Sequence, residues 1–303
     1  MAGVRARLLG LALRHTVKRR LERLPPLDLA AVRASRRRLD AMAARMAPPE
    51  ATVEAFDADG VGGLVLTPPN AEPGRAVLHL HGGGYVVGSP QVYRDLAARL
   101  GRAAAAAVYL PDYRLAPEHR FPAALDDARR TWHWLLRRVA AARSVAVSGD
   151  SAGGGLALAL QLSLRDRDEP LPGAGVLMSP WTDLTGSGAS VVENARRDCL
   201  LVAERMPEVV TLYLGDHDRR DPLASPLLAD LGRLPPQLVH ASRDEILRDD
   251  ATRLAARARA AGTSVELTLH GGLPHAFHLF APLIPEARTA IEALGAFARR
   301  HTR

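Results

Sequence analysis

The stretch Val145-Ala-Val-Ser-Gly-Asp-Ser-Ala-Gly-Gly-Gly155 leaves a chain few ways to fold. Val145 to Val147 suit the end of a buried strand, and Ala157 to Leu162 read as a buried helix. Gly149-x-Ser151-x-Gly153 lies between them as a strand-to-helix turn with a serine at its apex. So sharp a turn crowds the backbone, and Gly149, Ala152, Gly153, Gly154 and Gly155 supply positions with little or no side chain. The turn pushes the Ser151 hydroxyl out at the top of a sheet and aims backbone N–H groups at the same point. A Gly-rich loop that only reverses the chain is the plain alternative. A strand in front and a helix behind favour a nucleophile.

The rest of the chain reads as repeated strand–helix alternation. Thr52–Phe56 and Val61–Leu66 flank Asp57-Ala-Asp-Gly60, a hairpin signal. Strands are expected at Ala76–Leu80, Ala105–Leu110, Ala174–Met178, Gln237–Ala241 and Val265–Leu269. Helices are expected at Gln91–Gly101, Phe121–Val139, Asp249–Ala261 and Pro285–Arg300. This pattern gives an α/β class: a mostly parallel sheet with helices on both faces. Thr182 to about Leu214 breaks the alternation with a Gly/Ser loop and a helix near Glu204–Leu214, so it reads as an insertion.

The net charge of +7 belongs to one segment. Residues 1–46 hold 12 Arg/Lys against 3 Asp/Glu, whereas the remainder is near neutral at −2. Without a basic stripe with interleaved aromatics, the body offers no nucleic-acid surface. Residues 3–24 read as a basic amphipathic helix ended by Pro25-Pro26. A second helix is expected from about Leu27 to Met46, closed by Pro48-Pro49. The first helix either contacts an anionic membrane surface or forms, with the second, a helical pair covering the body. The apolar face of the second helix favours the pair. Cys199 is the only cysteine, which excludes an intramolecular disulfide and fits a reducing, cytoplasmic setting. No run approaches the roughly 20 apolar residues of a membrane span.

A serine hydroxyl needs a base within hydrogen-bond reach, a group that orients the base, and donors aimed at the developing oxyanion. The base candidate is His275, in a Gly/Pro loop after the last expected strand, at the same sheet edge as Ser151. His270 and His278 are neighbours without that position. The orienting acid should follow the strand ending near Ala241, where Asp244 and Glu245 stand. Consecutive extended residues point to opposite sides, so only one can face His275, and periodicity does not choose between them. Asp249 and Asp250 read as the cap and first turn of the next helix. Gly83, Gly84 and Ala152 supply the oxyanion amides. A phosphate loop is the alternative for the glycines, but no Lys-Ser/Thr follows them and GxGxxG is missing.

Four ordered motifs, His81-Gly-Gly-Gly84, Asp112-Tyr-Arg-Leu-Ala-Pro-Glu118, Gly149-Asp-Ser-Ala-Gly153 and the His275 loop, resemble the bacterial hormone-sensitive-lipase-like esterases of the α/β-hydrolase fold. The resemblance runs from about residue 52 to the end. It implies a catalytic domain at 51–303, with residues 1–50 and an insertion at about 182–214 forming a helical cap. It also implies the roles Ser151 nucleophile, His275 base and Gly83, Gly84, Ala152 oxyanion hole. The family acid opens an Asp-Pro-Leu-x-Asp motif. Leu247-Arg248-Asp249 matches its last part, which puts Glu245 at the acid position, with Asp244 as the alternative. Glutamate for aspartate and Ile246 for proline both depart from the motif. Asp221-Pro-Leu-Ala-Ser225 has the look of the acid motif but precedes the relevant strand, and reads as structural.

The expected function is serine-dependent hydrolysis of short- to medium-chain acyl esters or lactones, with no metal or organic cofactor. The competing class, a ligand-binding protein on the same fold, loses the base, and the retained His275 speaks against it. Expected partners are a small ester substrate, weak membrane-surface contact through residues 1–24, and a second copy in a homodimer.

Overall fold

The computed structural model describes residues 2–46 and 50–302. The expected closure of the second helix by Pro48-Pro49 lies outside the described residues. The chain begins with α1 (Val4–Leu13), a π-helical turn (Arg14–Lys18), α2 (Arg19–Arg23) and α3 (Leu29–Ala43). Then come β1 (Thr52–Asp57), β2 (Gly62–Thr67), β3 (Ala76–Leu80), α4 (Arg94–Ala104), β4 (Ala107–Pro111) and α5 (Ala123–Leu136). The middle is β5 (Val145–Asp150), α6 (Ala152–Arg165), β6 (Ala174–Met178), α7 (Ser190–Glu193) and α8 (Met206–Leu214). The chain ends with β7 (Gln237–Ser242), α9 (Arg248–Ala260), β8 (Val265–His270) and α10 (Pro285–His301).

One eight-stranded sheet runs in the order β1-β2-β4-β3-β5-β6-β7-β8. Only the β1–β2 and β2–β4 pairs are antiparallel. Alternate side chains of the central strands enter two cores. Leu78, Leu80, Val145 and Val147 pack with α5, α6 and α9 on one face. Val77, Ala146 and Val176 pack with α4 and α10 on the other. Covering both faces is why β5 and β6 are buried along their whole length. Every residue of α6 is buried, its polar Gln161 hydrogen-bonded to Ala157 and Gln237 and its Arg165 to the Asp230 and Gly232 carbonyls. Because β3 and β5 to β8 are parallel, the loops after them share one rim, where such sheets place their sites.

Three details differ from the sequence reading. β4 starts at Ala107, because Ala105 caps α4 in the left-handed region at φ 51° and cannot extend a strand. The 182–214 segment carries an additional short helix, α7. The first helix is interrupted by the π turn. The extra residue in that turn rotates Lys18, the one lysine of the chain, off the outward face and into the protein. There Lys18 Nζ donates to the carbonyls of Ala195 and Asp198 at 2.6 and 2.8 Å. Arg14 donates to those of Arg196 and Arg197. The N-terminal helices are thus pinned to the 182–214 segment. Among the described residues, no helix is long and apolar enough to cross a membrane.

Candidate active site

Ser151 joins β5 to α6 at φ 52° and ψ −124°, a conformation that a residue with a Cβ adopts only under constraint. Two hydrogen bonds to the β6 exit supply it: Ser151 N–H to Met178 O at 2.9 Å and Trp181 N–H to Ser151 O at 2.8 Å. A Cβ at Gly153 would strike the carbonyls of Leu80 and His81, so only glycine lets α6 start this close to β3.

The loops after β7 and β8 meet beside this turn. His275 Nδ1 lies 2.5 Å from Glu245 Oε2, with both residues buried. Glu245 Oε1 accepts the Ser242 N–H at 2.8 Å. Burial disfavours the charged imidazole. The charge and hydrogen bond of Glu245 outweigh it, and the His275 pKa is raised above its ordinary value of 6.5. Asp150 and Asp198 add to the same effect. The Ala276 N–H donates to Ser179 Oγ at 3.1 Å, next to the Met178 carbonyl that holds Ser151. Adjacent residues of β6 and its exit therefore bind both the serine turn and the histidine loop.

Asp244 points the other way, accepting the Gly272 N–H at 2.6 Å, and does not reach His275. His270 and His278 sit in a separate aromatic cluster with His240, where His278 Nε2 approaches His240 Nδ1 to 3.4 Å. Asp249 and Asp250 lie in the first turn of α9, as the sequence reading has it, but neither caps that helix, whose N-cap position is Leu247. Their carboxylates reach across to Ser190 N–H and to the Thr182 and Asp183 N–H groups. Asp221 binds His217 and the Leu223 N–H within its own turn.

Gly83 and Gly84 follow β3 with φ 121° and 63°. A Cβ at Gly83 would strike the Val87 carbonyl. Among the described residues, the N–H groups of Gly83, Gly84 and Ala152 donate to no acceptor. The preceding Gly82 N–H is held by Asp150 Oδ1 and by the Tyr93 hydroxyl, each at 2.9 Å. Tyr93 in turn donates to Asp150 Oδ2. From the far side, Tyr85 stacks on Tyr213 of α8 at 3.8 Å, and Val209 lies against Gly84.

Sequence reasoning missed these supports. Asp150 stands inside the serine motif, yet nothing in the spacing says that its side chain turns back to the glycine loop. Asn194 and Asp198 lie in the insertion, where no periodicity marks them. Asn194 Nδ2 donates to the carbonyls of Arg243 and Glu245, and Asp198 Oδ2 accepts the Ile246 N–H. Among the described residues, no group of three or more His, Cys, Asp or Glu is placed to hold a metal ion.

A family model for the α/β-hydrolase fold matches residues 77–279. An acetyl-hydrolase from Streptomyces hygroscopicus is 44% identical over 234 residues, 77% of this chain and 78% of its own. A crystal structure of an esterase from the bacterial hormone-sensitive lipase family is 38% identical with a TM-score of 0.92, covering 100% of both chains. The chain belongs to the bacterial hormone-sensitive-lipase-like esterases, on the α/β-hydrolase fold. An ethyl acetate hydrolase from Pseudomonas putida is 37% identical over 230 residues, 73% of this chain and 72% of its own.

This esterase holds a cavity of about 140 Å³ between Trp181, Leu184, Met206 and Val210, with the charged Asp183, Arg219 and Asp250 also on its wall. Ser151 and His275 do not line it. Its wall residue Trp181 donates its N–H to the Ser151 carbonyl.

The histidine cluster has a measurable consequence. Burial lowers the pKa of His240 to about 3, from 6.5. The unfolded chain then binds a proton that the folded one refuses, so this residue stabilises the fold above pH 6.5 and loses that contribution as pH falls toward 3. The urea midpoint of His240→Gln should therefore approach that of the wild type between pH 7.5 and pH 5. A difference that stays constant with pH contradicts the buried neutral state.

Proposed function

We propose that the protein is a serine carboxylic-ester hydrolase that turns over short- to medium-chain acyl esters or lactones through an acyl-enzyme. The observation that carries the reading is the buried Glu245–His275 pair at 2.5 Å, on the rim that also carries the constrained Ser151.

In this reading Ser151 Oγ attacks the ester carbonyl carbon and its proton passes to His275 Nε2. Glu245, bound to Nδ1, fixes the tautomer and stabilises the imidazolium. The carbonyl oxygen becomes an oxyanion facing the N–H groups of Gly83, Gly84 and Ala152. One such donor is typically worth about 3–4 kcal/mol of transition-state stabilisation. The alcohol leaves with the proton from His275. Water then loses a proton to His275, attacks the acyl-enzyme and frees the carboxylic acid while Ser151 regains its proton.

Residues 2–46 and 182–214 form the cap over this rim, which α8 already touches through Val209 and Tyr213. Short acyl groups are favoured by the activities for which the acetyl-hydrolase and the ethyl acetate hydrolase are named.

Ser151→Ala should reduce p-nitrophenyl acetate turnover by about 10⁴-fold or more with an unchanged unfolding midpoint. Undiminished turnover rules out this mechanism. The base works in its neutral form, so kcat/KM should fall as pH drops through the His275 pKa, which lies above 6.5. Glu245→Gln removes the charge that raises this pKa, so the acidic limb should move to lower pH while kcat drops by about 10⁴-fold. Asp244→Asn should leave the limb in place; a larger loss in that variant reverses the assignment.

A further inference from the structure

The apolar side chains of the first helix face away from the protein. Val4, Leu8 and Leu11, spaced to share one helical face, are 72%, 60% and 55% exposed. The opposite face carries the small residues Ala2 and Ala6, which are buried together with Leu13. Gly10 lies on this side too, where a Cβ would sit 3.8 Å from Cys199 Sγ. Close approach through small residues leaves the larger ones with nothing to cover them.

The helix is not free to roll them inward. Gly3 N–H donates to Glu286 Oε1 at 2.6 Å at its start, and Arg14 and Lys18 hold four carbonyls of the 195–198 turn. Those two cations are engaged. Arg5, Arg7, Arg19, Arg20 and Arg23 are exposed and have no ion-pair partner among the described residues. Glu22 is the single acidic residue between residues 2 and 24.

We propose that α1 and α2 form a docking surface for an anionic lipid bilayer, with Val4, Leu8 and Leu11 entering the headgroup–acyl boundary and the five free arginines contacting lipid phosphates. An apolar stripe beside cationic side chains matches such an interface in both polarity and charge. A second copy of the chain is a poor occupant, because pairing this face with itself sets arginine against arginine. The surface stands independently of the ester-hydrolase reading.

The test uses the full-length protein and co-sedimentation with two kinds of vesicle, phosphatidylcholine alone and phosphatidylcholine mixed with phosphatidylglycerol. Binding should be at least about tenfold tighter to the anionic vesicles and should weaken with added salt. The double variant Leu8→Glu/Leu11→Glu should lose this binding while keeping the wild-type circular dichroism spectrum and urea midpoint. Arg19→Gln/Arg20→Gln/Arg23→Gln should bind anionic vesicles less tightly and show a shallower salt dependence. Equal binding of the wild type to both vesicles overturns the proposal, as does unchanged binding of the leucine variant. Light scattering that shows a wild-type dimer turned monomeric by the leucine variant would assign the stripe to self-association instead, and also overturns it.

Discussion

The constraint on which the structure depends is the left-handed backbone of Ser151. A non-glycine residue in a sparsely populated region costs on the order of 1–3 kcal/mol and persists only where its surroundings over-determine it. Here they do. The turn is fixed to Met178 and Trp181 by hydrogen bonds, walled by β3 through Gly153, and followed by a wholly buried helix. The same tight geometry leaves the Ala152 N–H free beside the serine. Strain, exposure of the hydroxyl and an unpaired donor are three aspects of one turn.

Around it, the rim is held together by carboxylates that accept main-chain N–H groups across loops. Asp150 takes Gly82, Asp244 takes Gly272 and Asp198 takes Ile246, while Glu245 takes Ser242 within its own loop. Cations do the reverse, capping carbonyls: Lys18 and Arg14 on the 195–198 turn, and Arg36 on Val86 and Ala116. Hydrogen bonds with a charged partner are each worth about 1.5–3 kcal/mol, roughly twice a neutral one. This arrangement gives irregular loops a fixed shape without a sheet or helix of their own.

The sheet was legible in the sequence because its strands are short apolar runs separated by Gly- and Pro-rich turns. Ser151 was legible because so many small residues around one serine have few other uses. Choosing between Glu245 and Asp244 was not possible from periodicity, since β7 is buried on both faces and its register does not reveal which neighbour looks inward. The orientation of the first helix was equally hidden. Leucines lie on both sides of it, and the π turn that redirects Lys18 leaves no mark in the spacing. Asp150, Asn194 and Asp198 act through loop geometry, which local pattern does not encode.

The most direct test of the account is to identify the atom that carries the acyl group during turnover. Wild-type protein mixed with p-nitrophenyl butyrate, acid-quenched within the first turnover and mapped by peptide mass spectrometry should carry one butyryl group, on Ser151. A butyryl group on another residue, or turnover with none trapped on Ser151, would contradict it.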